Sequence, residues 1–210
     1  MTRRLVGVAT VALLVAASFV VGVAPAGAAT DLCVAANGAV RVQKGIANCE
    51  ASGRGSTAIA KGPFSAAGAI GDHNKARASG ENSAAFAYNG NNNTAIATAD
   101  FSVAVASDGD GNTAIASGNG SSANALIGDN NTAIASGYGS VALADFGNNN
   151  TAIASGDGSF AGAADGDNNT ATASGVDSIA AAFTGDNNTA TAGSTGCVAI
   201  ASGGNNSFSC

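Results

Sequence analysis

Tryptophan is absent from the 210-residue chain, and two Tyr and eight Phe are its only aromatics. A core built on large aromatic side chains is therefore excluded. Basic residues are also scarce, eight Lys and Arg in all, and the last of them is Arg77. From Ala78 to Cys210 there are eleven acidic residues and no Lys or Arg. Such a surface repels nucleic acid and anionic lipid, which need basic patches, so nucleic-acid binding is not expected. The one histidine, His73, occupies a slot held elsewhere by Asn or Gly and reads as a solvated turn residue. Neither a G-x-S-x-G elbow with a His partner nor a CxxC pair occurs. No catalytic residue, metal or cofactor is expected, and the chain reads as a non-enzyme.

The N-terminus has a recognisable design of its own. Arg3 and Arg4 precede an apolar run from Leu5 to Ala24, followed by Pro25 and the small residues Ala26-Gly27-Ala28-Ala29. A charged start, an apolar run and an A-x-A end make a secretory signal peptide over residues 1–28. The exported chain would start near Ala29, with no membrane span. It would be secreted or retained at the cell surface, from a bacterial source. It keeps six basic and all fourteen acidic residues, for a net charge of −8.

What remains is Ala, Gly, Asn, Ser and Thr in a regular order. GDNNTAIASG at Gly128–Gly137 returns as GNNNTAIASG at Gly147–Gly156 and GDNNTATASG at Gly166–Gly175. The residue between the Asn pair and Ala is Thr94, Thr113, Thr132, Thr151, Thr170 and Thr189, each 19 after the last. Lys75 holds the same slot one coil earlier; Thr57 and Ser207 hold it at the two ends, at spacings of 18. Each coil splits into two halves, Asn-x-Ala-x-Ala (Asn131–Ala135) and Ser-x-Ala-x-Ala (Ser140–Ala144). Short alternating stretches between Gly/Asn/Asp turns are the signature of strands. Helix is the rival for so much alanine, but Gly and Asn every few residues would break it. The expectation is an all-β, parallel β-solenoid or β-roll of about eight 19-residue coils, two short strands per coil. Residues 29–56 would form an N-terminal cap, 57–206 the repeats, and 207–210 the end of the C-terminal cap.

Stacking places Asn74, Asn93, Asn112, Asn131, Asn150, Asn169 and Asn188 in one column, where their amides are expected to pair along the axis and satisfy turn groups. Gly71, Gly90, Gly109, Gly128, Gly147, Gly166 and Gly185 recur at 19, as expected of a conformation with positive φ. Alanine is expected to point inward, with the opposite parity as the alternative. Alanine inside keeps Lys75 and Arg77 out of a thin core; the opposite parity would bury Thr and Ile against Val, Leu and Phe.

The four cysteines stand where caps belong, Cys33 and Cys49 before the first coil, Cys197 and Cys210 in the last. An even count in an exported chain implies two disulfides. Three pairings are possible, of which Cys33–Cys49 with Cys197–Cys210 needs only local loops. Asp110, Asp129, Asp167 and Asp186 form a partial column, interrupted at Asn91 and Asn148. Calcium-binding β-rolls require G-G-x-G-x-D, which is missing, so a solvated acidic edge is expected instead.

GSTAIAKG at Gly55–Gly62 and GENSAAFAYNG at Gly80–Gly90 resemble the head repeats of trimeric autotransporter adhesins. The resemblance implies a parallel β-roll with an adhesive role. The chain departs from that family in coil length and in lacking a coiled-coil stalk and an anchoring barrel. With alanine inside, Val103, Val105, Val141, Leu143, Phe160, Ile179, Val198 and Ile200 form an outward apolar stripe on the Ser half, suited to a partner or self-association. On the Asn half, Thr94/Ile96, Thr113/Ile115, Thr132/Ile134, Thr151/Ile153, Thr170/Thr172 and Thr189/Thr191 form two straight files, the candidate binding face. Such Thr arrays are similar to the ice-binding face of solenoid antifreeze proteins, although Lys75 and Arg77 interrupt this one. Thr and Ile are also simply good strand formers. The functional expectation is adhesion to host or neighbouring cell-surface or matrix molecules, or self-association, with ice binding as the alternative.

Overall fold

The computed structural model describes residues 31–210; the signal peptide expected over residues 1–28 lies outside the described residues. Twenty strands and no helix make up that part. The first ten are β1 (Leu32–Ala36), β2 (Ala39–Lys44), β3 (Asn48–Ser52), β4 (Thr57–Lys61), β5 (Ala66–Ile70), β6 (Lys75–Ala78), β7 (Ala84–Tyr88), β8 (Thr94–Ala97), β9 (Val103–Ser107) and β10 (Thr113–Ala116). The second ten are β11 (Ser122–Ala125), β12 (Thr132–Ala135), β13 (Val141–Asp145), β14 (Thr151–Ala154), β15 (Phe160–Ala164), β16 (Thr170–Ala173), β17 (Ile179–Phe183), β18 (Thr189–Ala192), β19 (Val198–Ser202) and β20 (Ser207–Ser209).

Successive strands alternate between two sheets. One has eleven strands in the order β2-β1-β4-β6-β8-β10-β12-β14-β16-β18-β20; the other has nine, β3 to β19. From β3 onward every pairing is parallel and, through the central coils, joins residues 19 apart, as Thr113 with Thr132 and Val103 with Ser122. The result is a parallel β-solenoid of about nine turns, roughly 43 Å long at ~4.8 Å per turn. The turn beyond the expected eight comes from β3, which lies in the segment assigned to the cap yet pairs parallel with β5. At the other end β20 continues the eleven-stranded sheet by pairing with β18. Only the β1–β2 hairpin departs from the parallel rule: β1 runs antiparallel to both β2 and β4. A parallel stack needs a full coil per added strand, whereas an antiparallel hairpin closes the sheet with a two-residue turn, Asn37-Gly38.

The core settles the parity. The two alanines of each half-coil point inward, and from Ala85 to Ala199 every one of them has zero exposure. Thr, Ile, Lys75 and Arg77 point outward. Because both sheets contribute only a methyl group at these positions, the space between them admits nothing larger. Two disulfides close the ends, Cys33–Cys49 and Cys197–Cys210, which is the local pairing of the three that were open.

Candidate binding face

Strands β8, β12, β14, β16, β18 and β20 of the eleven-stranded sheet are entered through an Asn pair, whose two members have different tasks. The first adopts the left-handed conformation, with φ of 58° or 59° at Asn92, Asn130, Asn149, Asn168 and Asn187. Asn tolerates that region better than other side chains with a Cβ. His73 takes this slot one coil earlier, at φ 58°, and is exposed. The second Asn is buried. Asn131 Nδ2 donates to the carbonyls of Leu126 (3.2 Å) and Gly147 (2.8 Å), and its Oδ1 accepts the backbone N–H of Asn150 (3.0 Å). The expectation of amide-to-amide pairing along the axis is therefore corrected: each side chain bonds backbone groups of its own coil and of the next. Those groups lie at a buried corner outside any ladder, and an unpaired buried N–H or C=O is costly, so the amide goes to them.

The expected positive φ is found at six of the seven glycines of the column, Gly71, Gly90, Gly128, Gly147, Gly166 and Gly185, and a second cause acts beside it. Gly90 has φ 152°, but Gly109 has no positive φ. What the two share is a close approach. A Cβ on either would fall 1.9 Å from the carbonyl oxygen of the next glycine in the column, Gly109 or Gly128 respectively.

This corner sets the register of the outward face. Thr94, Thr113, Thr132, Thr151, Thr170 and Thr189 pair in one file; Ile96, Ile115, Ile134, Ile153, Thr172 and Thr191 pair in a second. All twelve are half-buried against their neighbours. Spacing is ~4.8 Å along the rod and ~7 Å between files. The structure adds a third file that the two-strand motif hid: Thr98, Ser117, Ser136, Ser155 and Ser174 are exposed and continue the backbone ladder, as in Ser117 N–H to Ala135 O at 2.8 Å. The signal for it was the Ser of the recurring AIASG, which reads as a turn residue when the strand is taken to end at Ala. No charged residue lies in these files from β8 to β20. Toward the N-terminus, Lys75 and Arg77 stand in the first two files beside Thr94 and Ile96. A shallow, mainly apolar groove of about 280 Å³ lies there, lined by Thr57, Ile59, Lys75, Arg77, Thr94 and Ile96.

The nine-stranded sheet presents a less regular surface. One outward file runs Val103, Ser122, Val141, Phe160, Ile179, Val198, and the other Val105, Asn124, Leu143, Gly162, Ala181, Ile200. Ser122 and Asn124 break the expected apolar stripe, which is continuous only from β13 to β19. Val198 and Ile200, at the C-terminal edge, are each 51% exposed. The corner that leaves this sheet contains Asp145, fully buried, whose Oδ1 accepts the N–H of Phe146 at 2.8 Å while Oδ2 has no partner. Burial pushes its carboxyl up to about 6, the Phe146 N–H opposes that rise, and Asp165 and Asp108 add to it.

The acidic column is built into the backbone of the turns. Asp110, Asp129, Asp167 and Asp186 each accept, through Oδ1, the N–H of the residue one coil earlier at 2.7–2.8 Å; Asn148 does the same for Asp129. Asn and Asp are interchangeable in this role, so the breaks in the column do not break the ladder. Among the described residues no three His, Cys, Asp or Glu side chains are grouped so as to hold a metal ion. Compared with protein-family models, curated proteins and solved structures, the chain has no match.

Proposed function

We propose that the protein is an extracellular, non-enzymatic adhesion rod that holds a cell-surface or matrix material through the Thr/Ile/Ser face of its eleven-stranded sheet. One observation carries this reading: outward residues repeat almost unchanged on that sheet and vary freely on the other. The fold asks only for alanine inward, Asn and Ser at the corners and Gly at the close approaches. It accepts Ser, Val, Phe or Ile at one outward slot of the nine-stranded sheet, and Lys75 and Arg77 on the eleven-stranded sheet itself. Repetition of Thr-x-Ile is thus not a requirement of folding, and a face with constant spacing fits a target that is itself repetitive and uncharged. The two disulfides fit an oxidising, extracellular setting.

The test is a pull-down of the full oxidised chain onto insoluble matrix and cell-envelope preparations. Thr132→Lys with Ile134→Lys is expected to abolish retention while the melting transition stays within a few degrees, because cations already occupy these slots at Lys75 and Arg77. Retention that survives this variant would defeat the reading. Ice is the second reading, favoured by β16 and β18, where both files carry Thr and form a small hydroxyl lattice. Shaping of ice crystals by the chain, lost in Thr172→Lys, would replace matrix by ice as the target.

A further inference from the structure

The eleven-stranded sheet changes character at its N-terminal end. All six basic residues of the described chain lie between Arg41 and Arg77, and folding brings four of them onto one outward surface. Lys44 on β2 and Lys61 on β4 both pair with Leu32 of β1, from opposite sides, so the two cations flank it two strand spacings apart. On the next strand, β6, Lys75 and Arg77 point outward beside Thr57 and Ile59. All four are exposed, and among the described residues none of their side chains has a hydrogen bond or ion pair. The patch spans ~14 Å along the rod and ~13 Å across, since Lys44 and Lys61 lie four residues along the strand direction from Lys75. Of the three acids of this end only Asp31 adjoins the patch: it precedes Leu32, and its backbone carbonyl accepts the N–H of Gly62, next to Lys61. Asp31 accepts the N–H of Ile46, Asp72 accepts that of Arg54, and Glu50 stands on β3 in the other sheet. Residues 31–78 carry six cations and three acids; residues 79–210 carry eleven acids and no cation.

We infer that this end is a second binding site, for a linear acidic polysaccharide, which adjoins the uncharged face at Thr94 and Ile96 and differs from it in charge. Charge complementarity selects the occupant. A membrane or other extended anionic surface would lie along the whole rod and meet its eleven acids, whereas one polymer strand crossing the rod meets only the cationic end. A second copy brings its own net charge of −8. Single-stranded nucleic acid depends on aromatic platforms for its bases, and the outward neighbours here are Leu32, Val34, Val42 and Ile59, with no aromatic ring. A polysaccharide needs only cations at the spacing of its acidic groups and a flat floor, and the groove between Ile59 and Ile96 supplies one under Lys75 and Arg77.

The experiment is retention of the full oxidised chain on immobilised polygalacturonate and dextran sulfate, with neutral dextran as control. The proposal expects retention on one or both charged polymers and none on dextran; the two arms tell a carboxylated from a sulfated target. By analogy with counterion release, four cations give a log–log salt slope of about −3. Lys44→Glu, Lys61→Glu, Lys75→Glu and Arg77→Glu together should weaken binding at least tenfold. Lys75→Thr with Arg77→Ile, which restores the repeat of the neighbouring strands, should weaken it several-fold without disturbing the fold. Failure of retention at low salt would overturn the proposal, as would indifference to these substitutions. Stronger capture by a single-stranded oligonucleotide or by phosphatidylglycerol vesicles, or a low-salt dimer abolished by the same substitutions, would also overturn it.

Discussion

The two sheets of this solenoid share an identical inside and differ on the outside. Inward, each offers two alanines per coil. Outward, the eleven-stranded sheet repeats Thr and Ile, while the nine-stranded sheet passes from Val to Ser, Phe and Ile at equivalent slots. Their exit corners differ in the same sense. Strands of the regular sheet leave through Ser-Gly from β10 to β16, whereas strands of the other leave through Ser107-Asp108, Leu126-Ile127, Asp145-Phe146, Ala164-Asp165 and Phe183-Thr184. The nine-stranded side therefore shows how little the fold asks of its surface, and the regularity opposite it calls for another explanation.

The largest expected effect comes from breaking what the sheets share. Asn131→Ala removes bonds to Leu126 O, Gly147 O and Asn150 N–H in a buried corner, leaving all three backbone groups unpaired. A loss of about 3–5 kcal/mol is expected in urea denaturation, with both sheets melting together. A loss below about 1 kcal/mol would mean that water replaces the amide.

Asp145 probes the irregular side alone. Its folded-state carboxyl titrates at about 6, above the ordinary value of 3.8. The folded state thus binds the extra proton between those values, and stability falls as pH rises through about 6. Asp145→Asn should stabilise the chain by about 1–3 kcal/mol at pH 8 and change little near pH 4. A variant with unchanged pH dependence would place the acid-sensitive group elsewhere.

A smaller effect is expected at Ile127, a β-branched residue at φ 43° that is 42% exposed in the corner after β11. Asn stands in the same left-handed slot at Asn89. Ile127→Asn should raise stability by about 1 kcal/mol, read as a rise in melting temperature. The smallest change should follow Val141→Thr with Leu143→Ile, which copies the regular pattern onto the other sheet. Stability should move by no more than about 0.5 kcal/mol, and matrix retention should not move at all. A gain in retention would show that the strand pattern, not the particular sheet, makes the binding face.

Much of this architecture was legible in the chain before folding. The spacing of Thr94 to Thr189 fixed the coil length, the two half-motifs fixed two strands per coil, and the positions of Cys33, Cys49, Cys197 and Cys210 marked the ends. The candidate face was legible as two files of a known spacing. Its third file was not, because Ser136 and its equivalents look like turn residues until the ladder bond from the next coil is seen. Nor was the cationic end, since Lys44 and Lys61 are 17 residues apart and meet only through the antiparallel strand between them.

The deepest division concerns parity. Period-two patterning by itself determined that alanine lies on one side of each strand and Thr, Ile, Val or Phe on the other. Hydropathy alone would have sent the larger apolar residues inward. Lys75 and Arg77 in the same slots argued against that, and the tertiary structure decided it. The Asn and Gly corners turn the chain so tightly that the two sheets leave room for methyl groups alone, and the larger side chains have nowhere to go but out.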